Sequence, residues 1–248
     1  MPVALITGGA SLICEGAARR LSDRGWTVVV TDLNLAGAEQ VAQMCAGPGK
    51  AVAMRLDARD PAQVDEVVRS VMQRHGRIDG LLNGAGGARG LGFAKKPFVE
   101  MDRDYWTQML DANLNSMLNV THAVLPGMIA QQSGSIVSIA AGRGLKGGRN
   151  ASIYSAAKAA IIVFTQSVAQ EVGKSGVRIN TIAPGNAEAR WKAPDDKARS
   201  PLGRNTNAED VGKVVDFLFS DEACHITGSC LDIATLTLSR TRRTNAAL

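Results

Sequence analysis

Hydrophobic positions in this chain fall into two alternating rhythms. Short dense runs rich in Val, Ile and Leu occur at 3–7, 27–31, 51–56, 78–83, 135–139, 177–181 and 229–233. An unbroken apolar run of about four to eight residues reads as a strand covered on both faces. Between these runs lie longer stretches with helical spacing, at 12–24, 35–44, 61–75, 104–131, 152–173 and 208–220. Two helix starts are marked by their residues. Asp60-Pro61 sets a capping carboxylate before a proline at the first helical position, and Asn207 precedes Glu209 and Asp210, acids suited to a first turn. Strand and helix alternate from end to end, with connections long enough for parallel crossovers. The prediction is an α/β fold: a single-domain, Rossmann-type doubly wound parallel sheet of about seven strands with helices on both faces. No linker, repeat or low-complexity stretch divides residues 1–248, so one domain is expected.

Composition narrows this picture. Apolar residues make up 45% of the chain, enough for a sizeable core, and the 26 glycines suit many tight strand-to-helix turns. The net charge of +5 owes part of its excess to a basic tail, 239–248, holding Arg240, Arg242 and Arg243. A solvated tail is the simpler reading, and no basic block interleaved with aromatics points to nucleic acid. Cys14, Cys45, Cys224 and Cys230 are scattered, with no CxxC and no spacing that suits a metal. No disulfide and no metal are expected. The chain enters a strand almost at once, leaving no room for a signal peptide, and no apolar run reaches the roughly 18 residues of a membrane span. A cytoplasmic protein acting on a small molecule is the expectation.

The loop in ALITGGASLICEG, 4–16, lies at the first strand-to-helix turn, where backbone N–H groups and a helix N-terminus face a pyrophosphate in dinucleotide-binding folds. Gly8 suits the tight turn, and Ser11, Leu12 and Ile13 line the helix start. Leu12 and Cys14 stand where glycines are usual. Asp32 ends the second strand, where a carboxylate accepts hydrogen bonds from an adenosine ribose and repels a 2′-phosphate, favouring NAD over NADP. Asp57 ends the third strand beside Ala58, where a carboxylate can meet the adenine amino group; a turn aspartate is the simpler alternative. In YSAAK, Tyr154 and Lys158 are four apart and share a helix face. A neighbouring ammonium is expected to lower the tyrosine pKa from its usual ~10 and make Tyr154 an acid/base.

Taken in order, these segments resemble the short-chain dehydrogenase/reductase family, over nearly the whole chain. TGGASLIC matches the first half of the family's TGxxxGxG; LLNGAG resembles its NNAG motif, with Gly84 for the second Asn; DANLNS places Asn113 on the active-site asparagine. YSAAK supplies Tyr154 and Lys158, and RINTIAPG resembles the segment flanking the nicotinamide carboxamide. The resemblance implies an NAD(H)-dependent oxidoreductase that interconverts a secondary alcohol and a ketone. It implies Tyr154 as acid/base, Lys158 lowering its pKa and holding the nicotinamide ribose, and Asn113 keeping a water that links the lysine to solvent. It adds Asn83, Gly84, Ala85, Pro184 and Gly185 to the cofactor site, and a homotetramer or dimer formed through the two long helices.

The chain also departs from the family. The catalytic serine, thirteen residues before the tyrosine, is Ala141. Ser138 should face the other way by strand alternation, and Ser152 lies nearer the tyrosine. Arg143 and Arg149 flank the pocket and can bind a carboxylate or phosphate, although loop arginines are usually just solvated. The substrate loop, about 186–201, is short, with Trp191 as its apolar residue, and Ala234-Thr235-Leu236 replaces a terminal Asp-Gly-Gly. Pteridine-reductase-like relatives carry a large residue at the position of Leu12, so bulk there does not abolish cofactor binding. The alternative to an enzyme is a binding or regulatory protein on the same scaffold.

Overall fold

The computed structural model describes residues 1–87, 92–185, 200 and 202–233. The strands are β1 (Val3–Thr7), β2 (Thr27–Asp32), β3 (Ala51–Arg55), β4 (Gly80–Asn83), β5 (Gly134–Ile139), β6 (Val177–Pro184) and β7 (Cys230–Ile233). All pair in parallel, in the order β3-β2-β1-β4-β5-β6-β7. The helices are α1 (Leu12–Asp23), α2 (Leu35–Met44), α3 (Pro61–His75), α4 (Arg103–Leu110), α5 (Ser116–Gln131), α6 (Gly142–Lys146), α7 (Ser152–Val172) and α8 (Ala208–Phe219).

The apolar runs are unbroken because both faces of the sheet are covered. All of β1 is buried, yet its side chains serve two cores. Val3 and Leu5 join Val64, Val68, Val120, Val124 and Val168 from α3, α5 and α7. Ala4 and Ile6 join Ala17, Leu21, Val41, Val211 and Val215 from α1, α2 and α8.

Helix starts follow the capping signals. Asp60 accepts from the N–H groups of Ala62 and Gln63, and Asn207 forms a reciprocal capping pair with Asp210. Three expectations change. The helix expected over 104–131 is α4 and α5 joined by one wide π-helical turn, Asp111–Asn115. A short helix, α6, follows β5 directly. Last, α7 is by length and composition apolar enough to cross a membrane, against the reading that no run reaches that size. Its Ala157, Ile161, Val168, Ala169 and Val172 are buried, as in a core helix, and the helix carries a buried lysine.

Candidate active site

Strand order reverses between β1 and β4, and the crevice outside their carboxyl ends is where this fold class holds ligands. Gly8 follows β1 with φ +62°, and a Cβ there would lie 2.6 Å from the Gly84 carbonyl oxygen and 2.7 Å from the Ala85 nitrogen. The two loops therefore meet backbone to backbone. Thr7 Oγ1 accepts from the N–H groups of Gly84 and Ala85, at 3.2 and 3.3 Å. Ser11 caps α1 by accepting from Cys14 N at 3.4 Å. The first helical bond runs from Glu15 N to Ser11 O, so the N–H groups of Leu12 and Ile13 precede any acceptor within the helix. The Leu12 side chain is half-buried.

Cys14 is fully buried, with Sγ 3.7 Å from the Thr7 carbonyl. A Cβ on Gly84 would lie 2.1 Å from that sulfur. Two departures from the family pattern thus share one space: the thiol fills room that glycine at 84 leaves free. Burial pushes the Cys14 thiol up to about 11, so it is a packed, inert group rather than a reactive thiolate. Close approach of α1 to its neighbour is supplied by Gly16 and Gly212. A Cβ on Gly16 would lie 1.9 Å from the Ala208 carbonyl oxygen, and one on Gly212 would lie 2.4 Å from the Gly16 carbonyl oxygen.

Asp32 is half-buried at the end of β2, and its oxygens already accept two backbone bonds, from Ala10 N at 3.0 Å and Asn34 N at 2.8 Å. The carboxylate thereby ties the glycine loop to β2 while keeping lone pairs for a ligand. Asp57 differs from its expected role. Arg59 grips it with Nε at 2.8 Å and Nη2 at 2.6 Å, and this partner holds its carboxyl below the usual range. It is first a turn carboxylate paired with arginine. The Ala58 carbonyl accepts from Asn119 at 3.1 Å. The Asn83 amide donates to Thr121 Oγ1 and Ser138 Oγ, at 2.9 and 3.2 Å, bracing β4, β5 and α5 inside the sheet. Ser138 is thus committed there, as its strand position implied.

Asn113 sits in the wide turn with its side chain fully buried. Nδ2 donates to the Met109 carbonyl at 3.0 Å and to the Gly87 carbonyl at 3.1 Å, while Oδ1 accepts from Gly87 N at 2.8 Å. The side chain clamps the segment after β4, which sequence reasoning missed because the partners are backbone groups 26 residues away. On α7, Lys158 is buried and donates from Nζ to the Ile139 carbonyl at 2.9 Å. Its Nζ lies 5.9 Å from the centre of the Tyr154 ring.

The expected acidification of Tyr154 by Lys158 is not what the structure shows. Burial raises the Tyr154 phenol, and the cation that opposes this is Arg143. Burial also lowers Lys158, to about 8. The Tyr154 hydroxyl makes no hydrogen bond among the described residues.

Ala141 adopts an extended conformation immediately before α6, and its carbonyl accepts from Gly144 N. The Ser152 hydroxyl donates to Met101 Sδ at 3.7 Å. Arg149 is exposed and makes no described contact, whereas Arg143 is half-buried beside Tyr154. Pro184 ends β6, and Gly185 N donates to the Ile233 carbonyl, which closes the crevice edge. Trp191, most of the short loop at 186–201 and the basic tail lie outside the described residues.

Residues 8–234 match the family described as enoyl-(acyl carrier protein) reductase. The chain is 35% identical over 239 residues to the 3-oxoacyl-[acyl-carrier-protein] reductase FabG of Thermotoga maritima, covering 93% of this chain and 95% of that one. It is 34% identical over 242 residues to the oxidoreductase UcpA of Escherichia coli O157:H7, covering 91% and 90%. Among solved structures it is similar to an NAD+-bound xylitol dehydrogenase, with TM-score 0.86, 27% identity and coverage of 94% and 98%. It is also similar to a levodione reductase, with TM-score 0.86, 28% identity and coverage of 94% and 96%.

Proposed function

Because the chain belongs to the short-chain dehydrogenase/reductase family, we propose that it interconverts a secondary alcohol and a ketone with NAD(H), using Tyr154 as acid/base. That it is an oxidoreductase on a nicotinamide-binding scaffold follows from the family. The observation that carries the finer reading is the pair on α7: a phenol with no hydrogen bond among the described residues and a buried ammonium one turn along.

The loop residues fit a dinucleotide. Gly8 leaves no Cβ between the two loops, and the N–H groups of Leu12 and Ile13 open the helix towards an anion. Asp32 supports NAD, because a half-buried carboxylate at that strand end disfavours a 2′-phosphate. Gly84 and Ala85 meet the glycine loop, and Asp57, Ala58, Asn83, Pro184 and Gly185 complete the proposed cofactor site, Asn83 from within the sheet and Asp57 alongside its arginine partner. A bound nicotinamide supplies or accepts the hydride at the substrate carbon. Tyr154 gives its phenolic proton to the ketone oxygen on reduction and takes the hydroxyl proton on oxidation. Lys158, held by the Ile139 carbonyl, is the residue that would hold the nicotinamide ribose. Asn113 keeps the segment after β4 in place. The same reading makes the protein a cytoplasmic homo-oligomer.

Leu12 and Ala141 favour a second reading, a binding protein with little turnover. One experiment decides. NADH fluorescence is titrated, and a panel of secondary alcohols is oxidised with NAD+ by the native protein and by Tyr154→Phe. Saturable NADH binding is expected in both, with turnover at least about a hundredfold lower in the variant. Saturable binding without turnover of any alcohol selects the binding protein. Turnover that survives the substitution overturns the mechanism, and no saturable binding up to millimolar NADH overturns the cofactor assignment.

A further inference from the structure

We propose that Arg143 is an anion anchor in the substrate pocket, holding an oxyanion group, carboxylate or phosphate, of a ketone or alcohol whose reacting oxygen meets Tyr154. This rests on the oxidoreductase reading and narrows its substrate class.

Three observations converge. The first is placement. Arg143 lies two residues after Ala141 on α6, and that helix is pressed against α7 at the lysine of the pair. A Cβ on Gly144 would lie 2.7 Å from the Lys158 carbonyl carbon and 2.9 Å from its oxygen. The arginine is therefore fixed relative to Tyr154 by backbone contact rather than carried on a free loop. The second is its course. Nη1 of Arg143 lies 1.6 Å from where a Cβ on Gly148 would be, so the guanidinium runs along the turn between α6 and α7. The third is the missing partner. Arg143 is half-buried, yet its guanidinium has no hydrogen bond or acidic partner among the described residues. Arginines elsewhere in the fold show what such a partner looks like: Arg20 and Arg24 pair with Asp216, Arg59 with Asp57, Arg77 with Asp79, Arg204 with Asp210, and half-buried Arg178 donates to the Leu218 and Ser220 carbonyls. A partly desolvated, unpaired cation costs free energy that a bound anion recovers.

The anchor also answers the vacancy at 141. Alanine cannot donate to the carbonyl oxygen and orient it. A substrate gripped at a second point, by a planar fork that takes two oxygens at once, is oriented without that donor.

The test is reduction by NADH of matched pairs: α-, β- and γ-keto acids against their methyl esters, and dihydroxyacetone phosphate against dihydroxyacetone. The native protein is compared with Arg143→Gln and Arg143→Lys, each checked for native circular dichroism. The charged member of at least one pair is expected to show kcat/KM about tenfold or more above its neutral counterpart, mainly through KM. Arg143→Gln should bring that ratio near one while neutral ketones are still reduced, and Arg143→Lys should keep part of it. Preference for keto acids or for the phosphate identifies the anion. Equal rates for charged and neutral members, or a preference unchanged in Arg143→Gln, overturns the anchor while leaving the oxidoreductase reading intact. No reduction of any member removes that reading, and the anchor with it.

Discussion

A buried ammonium is costly unless its surroundings offset the lost hydration. Lys158 is 3% exposed and has the Ile139 carbonyl as acceptor, and its pKa drops from 10.5 to about 8. The native state therefore binds the lysine proton more weakly than the unfolded chain does. Between about pH 8 and 10.5 the unfolded state carries more protons, so stability rises with pH across that window. The contribution is fully present above 10.5 and is lost as pH falls to about 8. Two and a half units at 1.36 kcal/mol each is about 3 kcal/mol. Urea unfolding of the native protein and of Lys158→Met, followed from pH 8 to 10.5, should show the native protein gaining stability relative to the variant by roughly that amount. A constant difference would mean that the lysine is solvated. The same burial explains why tyrosine and lysine do not behave as their spacing suggests. Four residues on a helix put them on one face, but burial raises the phenol and lowers the ammonium, and the cation acting on the phenol is Arg143.

One level up, α1 owes its seat to two small-residue contacts rather than to the glycine spacing usual at this loop. At its start the Cys14 thiol lies over Gly84, and two residues later Gly16 meets the backbone of α8. A change at 84 should therefore be felt through the cysteine. Gly84→Asn drives its Cβ into Sγ and should cost at least about 2 kcal/mol in urea unfolding. Adding Cys14→Gly should recover about 1 kcal/mol or more, a coupling that distant sites do not show. Strictly additive costs would mean that the two positions do not share space. The wide turn before α5 is the other device at this scale. It breaks the register of a long helix at Asn113 and frees the Met109 carbonyl for that side chain.

For the whole molecule, strand order sets where ligands meet. β1 and β4 are neighbours only because the chain reverses direction across the sheet, and this brings Gly8, Gly84 and Asn113 to one crevice. The outer faces of the long helices carry exposed apolar side chains, Val163 at 60% on α7 and Ile129 at 39% on α5. The homo-oligomer proposed above would cover them. Light scattering on a sizing column should give a dimer or tetramer, and Val163→Glu should shift it to smaller species. A monomer at micromolar concentration would remove the oligomer from the reading.

The amino-acid order alone determines the alternation of seven strands with helices, the two-sided burial of the sheet, and the pairing of Tyr154 with Lys158 on one helix. These are local properties: run length, periodicity and cap residues act over a few neighbours, and β1, α2 and α3 begin and end at the residues that such signals mark. Folding decides the rest, because it depends on groups far apart in the chain. Only the packed structure sets Cys14 against Gly84, closes Asn113 on Gly87, ties Asp57 to Arg59, and leaves Arg143 beside the tyrosine without a partner among the described residues. Whether a thiol is reactive, a carboxylate available or a phenol acidic follows from burial and partners, and those exist only once distant segments are in contact.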